Sequence, residues 1–404
     1  MKKLLIVNSV ANTTSTGRIA EQIGQTASSR GYECFFAYGR YANKSSCNLI
    51  KIGNSFDVYS HAIQSHVLDN HGFGSQRATR IFIKEVERIQ PDIVNLHNLH
   101  GYYINVKQLF DYLSSTEIPV VWTFHDCWAF TGHCTHFVRF NCEKWKTGCY
   151  NCPNYKGYPT SIFFDCSKRN YQRKKESFCS LKNLTIVTPS NWLKALVEES
   201  FLNKYPVKMI HNGIDLETFK PVDDPEQVRV KYGLQDSKII IDVASAWAKG
   251  KGMADFIELR KQLGPDYKIV LVGLNDKMIS GLPDGIVGIK RTEDVSELAS
   301  LYSMADVFVN PTYVDNFPTT NIEALACGTP VVTYKTGGSP EAIDDRTGAV
   351  VEKGDVSGIK QAIDRIMNSG LDYKSLCRER AVQNFRNADR FSDYVDLFDS
   401  LTSR

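Results

Sequence analysis

The strongest constraint on this chain is an alternation, run through twice, of short apolar β-rich runs with longer amphipathic stretches. In the front half the runs Lys3–Asn8, Cys34–Ala37, Ile93–Leu96, Pro119–Phe124 and Leu184–Val187 read as strands. Helical patterns lie between them at Arg18–Arg30 and Thr79–Gln90; the first is apolar at Ile19, Ala20, Ile23 and Ala27, a spacing of one helix face. The back half repeats the scheme with strands at Lys238–Ser245, Lys268–Gly273, Asp306–Asn310 and Pro330–Tyr334. Its helices fall at Asp255–Leu263, Val295–Met304, Ile322–Cys327 and Val356–Asn368. Alternation of this kind builds parallel sheets covered by helices. At 404 residues the chain exceeds what one core supports, so two such sheets are expected, with the polar, Pro-broken stretch Lys220–Pro225 as the linker. Ligands of open α/β sheets bind at the carboxyl ends of the strands, here expected in a cleft between two facing domains.

Composition narrows the class. No stretch reaches the roughly 20 apolar residues that span a bilayer. The opening MKKLLIVNSV is apolar only over Leu4–Val7, shorter than the roughly 7–15 residues of a signal core, and reads as a first buried strand. Eleven cysteines in a long chain without an export signal favour free thiols or a metal over disulfides. Residues 1–200 carry 23 Lys and Arg against 15 Asp and Glu, whereas the remainder carry 25 against 30. A basic front half suits an anionic ligand or an anionic membrane surface, and scattered solvated charge explains it equally well.

Three loops of the back half each follow a strand. Asn310–Val332 reads NPTYVDNFPTTNIEALACGTPVV: it turns at Asn316, Phe317 and Pro318 and enters a helix at Thr319, Thr320 and Asn321. Amides and hydroxyls at a helix start suit a diphosphate. Glu323, eight residues after Asp315, can accept hydrogen bonds from the two hydroxyls of a ribose, and Asp315 can do the same for a sugar ring. Taken alone, this is also how an N-capped helix with a dipole-favoured Glu would read. Lys249–Gly252 (KGKG) and Thr336–Glu341 (TGGSPE) are the other two loops, and three together are hard to explain by packing.

At these residues the chain resembles the retaining, nucleotide-sugar-dependent glycosyltransferases of the GT-B fold, family four, as found in colanic-acid-type polysaccharide biosynthesis. The family's signature is an acid pair with seven residues between, followed by an E-A-x-A-x-G-x-P-V run that opens on the second acid, here Glu323–Val331. The resemblance extends to Thr188–Trp192, Asn212–Asp215, Phe219–Pro221, Lys251–Gly252 and Thr347–Gly348. It implies an α/β fold of two Rossmann-like doubly wound domains, residues 1–218 and 219–384, with a C-terminal helix at 385–404 packing back on the first. By the same resemblance Lys251 and the backbone of Thr319–Asn321 bind the donor diphosphate, Glu323 the ribose and Asp315 the transferred sugar. Arg291 lies near the base, and Gly17 and Arg18, in the TTSTG loop after the first strand, lie under the diphosphate. There are two departures. Asp315 stands where the family has Glu, and the family's basic residue before Lys251 falls near Ser245–Ala246, with Lys249 as its stand-in.

His97 and His100 (LHNLHG) and His125 (FHD) each end a front-half strand. A lone histidine is usually structural, but two successive strand ends carrying them point to a site. His125 matches the family's histidine near the transferred sugar and serves to orient and polarise; His97 and His100 are assigned to the acceptor. Downstream, Cys134, Cys142, Cys149 and Cys152 close with a C-x2-C spacing in an excursion spanning 127–156. A closed tetrahedral zinc site fits best, with free thiols, an iron–sulfur cluster and a nucleic-acid knuckle as alternatives. Cys127 reads as a buried small residue. The basic run Lys168–Lys175 suits anionic lipid, a lipid-diphosphate acceptor or a solvated helix face.

The expected function is hexosyl transfer from a nucleotide diphosphosugar (UDP or GDP) to a saccharide or lipid-linked acceptor, with retention and no catalytic cofactor. Its setting is cytoplasmic, with peripheral contact at the inner face of the membrane. An epimerase of the same fold is a rival. Nucleic acid is not expected as a partner, because the acid pair repels phosphates, and a dehydrogenase lacks its G-x-G-x-x-G fingerprint.

Overall fold

The computed structural model describes every residue except Ala246, Lys249 and Arg404. The chain divides into two compact units, residues 1–211 with 390–404, and residues 212–389. Each is built on one sheet.

The first unit's sheet comprises β1 (Lys3–Asn8), β2 (Glu33–Tyr38), β3 (Asn48–Lys51), β4 (Ile93–Leu96), β5 (Val120–Thr123), β6 (Leu184–Thr188) and β7 (Val207–Met209), in the order β3-β2-β1-β4-β5-β6-β7. The second contains β8 (Lys238–Val243), β9 (Tyr267–Val272), β10 (Ile286–Ile289), β11 (Val307–Asn310), β12 (Val331–Tyr334) and β13 (Gly348–Val351), in the order β10-β9-β8-β11-β12-β13. Every strand pair in both is parallel. All carboxyl ends of a sheet therefore lie along one edge. The central strands β4, β5, β11 and β12 are buried at every position, which is why they read as largely apolar runs.

Four strands were not expected: β3, β7, β10 and β13. These are the four edge strands. Each has a partner on one side only, is three or four residues long and carries exposed or half-exposed positions, so it gives a short and weak strand signal. The helices Val295–Met304 and Val356–Asn368 coincide with expectation. Others start earlier than periodicity indicated, notably Thr14–Ser29, Gln76–Ile89 and Thr319–Ala326, because their polar first turns lie outside the apolar stripe.

The unit boundary falls before Asn212 rather than at 218/219. Ile214 donates its N–H to the Phe385 carbonyl at 2.7 Å, and Leu216 and Phe219 lie in the second unit's core, so this stretch folds with the second unit. The last helix, Asn387–Thr402, joins the first unit from Arg390 onward. Phe391, Tyr394, Val395 and Phe398 pack among Leu4, Ile6, Ile19 and Ile23. Asp396 and Asp399 pair with Arg30 on the adjoining surface. Phe398 is fully buried, so Phe398→Ala should cost about 3–5 kcal/mol in denaturant unfolding of the intact chain. A loss near zero would show that the C-terminal residues are not part of the first unit's core.

Candidate active site

In the first sheet β1, β4 and β5 are neighbours, and their loops meet at the carboxyl edge. Asn98 ties them together: its N–H donates to Asn8 Oδ1 at 3.2 Å and its amide to Thr16 Oγ1 at 3.4 Å. Gly17 is buried one residue further along this helix start, and Arg18 points outward. His97 and His125 are brought together, with rings stacked at 5.3 Å and Nδ1 of His97 3.0 Å from Nε2 of His125.

The protons in this pair follow from Asn95. Its amide nitrogen donates to the Val121 carbonyl, so its Oδ1 is left to accept from His97 Nε2 at 2.8 Å. His97 Nδ1 is then the acceptor and His125 Nε2–H the donor. Both rings are held neutral. Burial drives His97 well below the ordinary histidine range, and burial brings His125 down to about 4.

His100 belongs to a second group. Its Nε2 lies 2.7 Å from Asp126 Oδ2, and its Nδ1 lies 3.2 Å from the Tyr158 hydroxyl. Burial opposes ionisation of Asp126, but His100 and the Trp128 N–H outweigh it and hold the carboxyl at about 2. Sequence reasoning singled out neither Asp126 nor Tyr158. The His-Asp pair after a strand was a visible signal for Asp126; nothing local marks Tyr158, which lies 58 residues from His100.

In the second sheet the loops after the adjacent strands β8, β11 and β12 converge in the same way. Lys251 Nζ sits 2.9 Å from Asp315 Oδ2. Burial works against the Lys251 charge, yet Asp315 and the nearby Asp242 raise its pKa. Asp242, at the end of β8 and absent from the expected site, is pushed up to about 8 by burial. Two glycines allow this convergence. A Cβ on Gly252 (φ +76°) would come within 2.6 Å of the Pro311 carbonyl oxygen, and one on Gly337 (φ +56°) within 1.7 Å of the Asp315 carbonyl oxygen. Lys249 lies outside the described residues.

The helix Thr319–Ala326 begins after Pro318 with no side-chain cap and no acid in its first turn. Glu323 accepts a hydrogen bond from the Tyr302 hydroxyl at 2.9 Å. Two residues expected at the donor site, Asn321 and Phe317, have side chains with structural partners. The Asn321 side chain is buried in a network with Asn310 and Ser339. The Phe317 ring packs in the core 5.9 Å from Phe385, while Asn316 carries the loop by accepting at its carbonyl from the Gly338 N–H. Arg291 is exposed on the loop after β10, with β9 between that strand and β8, so it is not gathered with Lys251 and Asp315.

The cysteine excursion is fastened from the first unit. The buried His133 Nδ1 lies 2.7 Å from Asp69 Oδ1, and the other Asp69 oxygen accepts from the Cys166 N–H. Lys174, expected as part of a basic surface, is buried: its ammonium donates to the Trp128 and Thr131 carbonyls and lies 3.6 Å from the Trp128 ring centroid. Cys134, Cys142, Cys149 and Cys152 line one cavity with His133 and Trp145. Cys149 accepts from the Gly132 N–H at 3.1 Å, and the Cys134 and Cys152 thiols are hydrogen-bonded to each other. Among the described residues no three His, Cys, Asp or Glu side chains are gathered as a metal-holding group, and all eleven cysteines are free thiols. Cys127 is fully buried.

Two parallel Rossmann-like sheets, each with loops converging at its carboxyl edge, define a two-domain α/β enzyme of the GT-B class. The description glycosyltransferase family 4 matches residues 16–218 and glycosyl transferases group 1 matches 224–386. The chain belongs to glycosyltransferase family 4, and it is a glycosyltransferase. It is 25% identical to a putative colanic acid biosynthesis glycosyl transferase, WcaC, of Escherichia coli K12 over 77% of each chain. It is 29% identical to a D-inositol 3-phosphate glycosyltransferase of Mycobacterium sp. (strain JLS), over 41% of this chain and 40% of that one. Among solved structures it superposes on sucrose-phosphate synthase from Thermosynechococcus elongatus with a TM-score of 0.72 and 17% identity over 100% of both chains. With Anabaena HepE in complex with UDP-glucose the TM-score is 0.66 and the identity 13%, over 99% of this chain and 100% of that one.

The neutral His97–His125 pair carries a pH signature. With His125 at about 4 in the folded state and near the ordinary 6.5 when unfolded, the unfolded chain binds the extra proton between those values, so stability falls as pH drops through that window. The melting temperature should fall between about pH 6.5 and pH 4, and less steeply in His125→Gln. Parallel profiles for the two proteins would contradict a neutral buried His125.

Proposed function

We propose that this chain transfers a hexosyl group, with retention, from a UDP- or GDP-sugar to a saccharide acceptor in cell-surface polysaccharide assembly, the acceptor being carried on a lipid. The observation that carries the reading is Lys251 held 2.9 Å from Asp315, one strand loop from an uncapped helix start and Glu323. A cation, open amides and a carboxylate along one sheet edge match the three parts of a nucleotide sugar. Lys251 and the amides at Thr319–Thr320 take the diphosphate, Glu323 the ribose hydroxyls, and Asp315 a hydroxyl of the transferred sugar. WcaC, by its description a colanic acid enzyme, and HepE, which binds UDP and glucose, support the choice of substrates.

When the C1–O bond to the diphosphate breaks, its electron pair leaves on the β-phosphate oxygen. Lys251 and the helix amides neutralise that charge in place, without reorganising. The acceptor oxygen bonds to C1 and its proton passes to the departing phosphate. In the first unit the neutral His125, with its N–H given to His97, orients the sugar rather than attacking it, and the His100–Asp126 dyad orients the acceptor hydroxyl. No helix among the described residues is long and apolar enough to cross a membrane. We place the enzyme on the cytoplasmic side, at the membrane's inner face.

Glu323→Ala and Lys251→Met should each lower transfer by roughly 100-fold or more, measured as nucleoside diphosphate released in the presence of acceptor. Full activity in either variant would overturn the donor assignment. Turnover of donor without acceptor would favour an epimerase.

We also propose that Cys134, Cys142, Cys149 and Cys152 hold a structural zinc. All four thiols line one cavity, and one already accepts an amide N–H. Closing the shell requires the thiols to turn toward a common centre. Protein purified without chelator should contain stoichiometric zinc by elemental analysis, and the Cys149→Ser/Cys152→Ser variant should lose it and melt at lower temperature. Metal-free wild-type protein would rule the site out.

A further inference from the structure

The helix Ser55–Leu68 is amphipathic in the unusual sense. Its buried face is polar: His61 and Ser65 are covered, with His61 Nδ1 2.9 Å from Ser75 Oγ and His61 Nε2 accepting the N–H groups of Gly72 and Gly74 at 3.2 Å. Gly74 packs so closely that a Cβ there would lie 2.5 Å from the His61 ring, which fixes the helix's rotation. Its outer face is apolar. Phe56, Tyr59 and Ile63, spaced along one stripe, are 77%, 70% and 64% exposed.

A second apolar element sits against the last turn of this helix. The Ile162 N–H donates to the His66 carbonyl at 2.7 Å, and the Ser161 hydroxyl closes a turn onto the Phe164 carbonyl. Ile162, Phe163 and Phe164 are each more than half exposed. Six large apolar side chains on two adjoining segments exceed the scattered exposure usual on a soluble surface.

The charges around these segments indicate what covers them. Lys156, Lys168, Arg169 and Lys175 are exposed on the same stretch of chain, and Arg169 reaches the Leu68 carbonyl at the helix end. Three acids lie on the same segments: Asp57 accepts the Asn54 N–H in a capping box, Asp165 accepts the N–H groups of Cys152 and Ser167, and Glu176 accepts from Gln172, so the four cations exceed them by one. A second copy docked face to face would set these cations against their equivalents. An anionic bilayer instead meets apolar side chains with its acyl boundary and lysines with its headgroups.

We propose that the outer stripe of the 55–68 helix, with Ile162–Phe164, is a docking surface for an anionic lipid bilayer. The surface lies a few residues along the chain from the dyad assigned to the acceptor, since the loop that carries Ile162–Phe164 also carries Tyr158, whose hydroxyl reaches His100. Docking would thus bring a lipid-carried acceptor to that dyad. This consequence rests on the proposed function, whereas the docking itself does not.

The test is flotation of the full chain with phosphatidylglycerol–phosphatidylcholine vesicles, compared with phosphatidylcholine alone. The wild type should float with the anionic vesicles and be released by high salt. Phe56→Ser/Tyr59→Ser/Ile63→Ser and, separately, Phe163→Ser/Phe164→Ser should reduce partitioning by roughly tenfold or more while keeping the circular dichroism spectrum and transfer to a soluble acceptor. Lys168→Gln/Lys175→Gln should lower binding to anionic vesicles only. Unchanged flotation of both apolar variants would overturn the proposal. So would a concentration-dependent wild-type dimer, seen by analytical ultracentrifugation and dissolved by the same substitutions. Flotation without transfer activity would leave the docking standing and overturn the proposed reaction.

Discussion

Everything at the candidate site depends on parallel strand pairing. When every strand of a sheet runs the same way, each loop that leaves a carboxyl end is delivered to one edge, and residues far apart in sequence become neighbours. Lys251 and Asp315 are 64 positions apart and paired because β8 and β11 are adjacent and parallel. His97 and His125 are stacked because β4 and β5 are. Both sheets use three consecutive neighbours for this purpose, β1-β4-β5 in one and β8-β11-β12 in the other. The remaining strands cover and extend the core.

The two edges are prepared in opposite electrostatic ways. The second unit keeps a charged pair at its edge, with Asp315 upholding the Lys251 charge against burial. Under the proposed function, an incoming diphosphate would compete with Asp315 for that cation, and the displaced carboxylate would become available to a sugar hydroxyl. The first unit keeps its histidine pair neutral, as burial dictates, and keeps one ionised carboxyl, Asp126, fixed by His100 and a backbone amide. Neutral rings in a fixed tautomer orient polar groups without the cost of burying another charge.

How much of this was legible followed from burial. Central strands and amphipathic helices announce themselves because they are buried on two faces or on one stripe. The four edge strands do not, having only one strand partner. Asp315, Glu323, Lys251 and His125 were legible because they stand in motifs with local spacing. Side-chain destinations were less so. Asn321 and Phe317 stand in the same motif, yet one closes a buried polar network and the other fills the core. Lys174 stands in a basic run and is nonetheless buried under Trp128. Tyr158, Asp69 and Asp242 act through contacts that tertiary packing alone creates. The outward apolar stripe of the 55–68 helix has ordinary helical periodicity, which states that one face is apolar without stating which way it faces.

The central claim is that the second unit's sheet edge is the donor site. A crystal structure of the chain with a bound nucleoside diphosphate tests it most directly. The account predicts the diphosphate on Lys251 and the amides at Thr319–Thr320, the ribose hydroxyls on Glu323, and the Lys251–Asp315 pair opened. A nucleotide bound elsewhere, with that pair still closed and Glu323 still engaged only by protein groups, would contradict it.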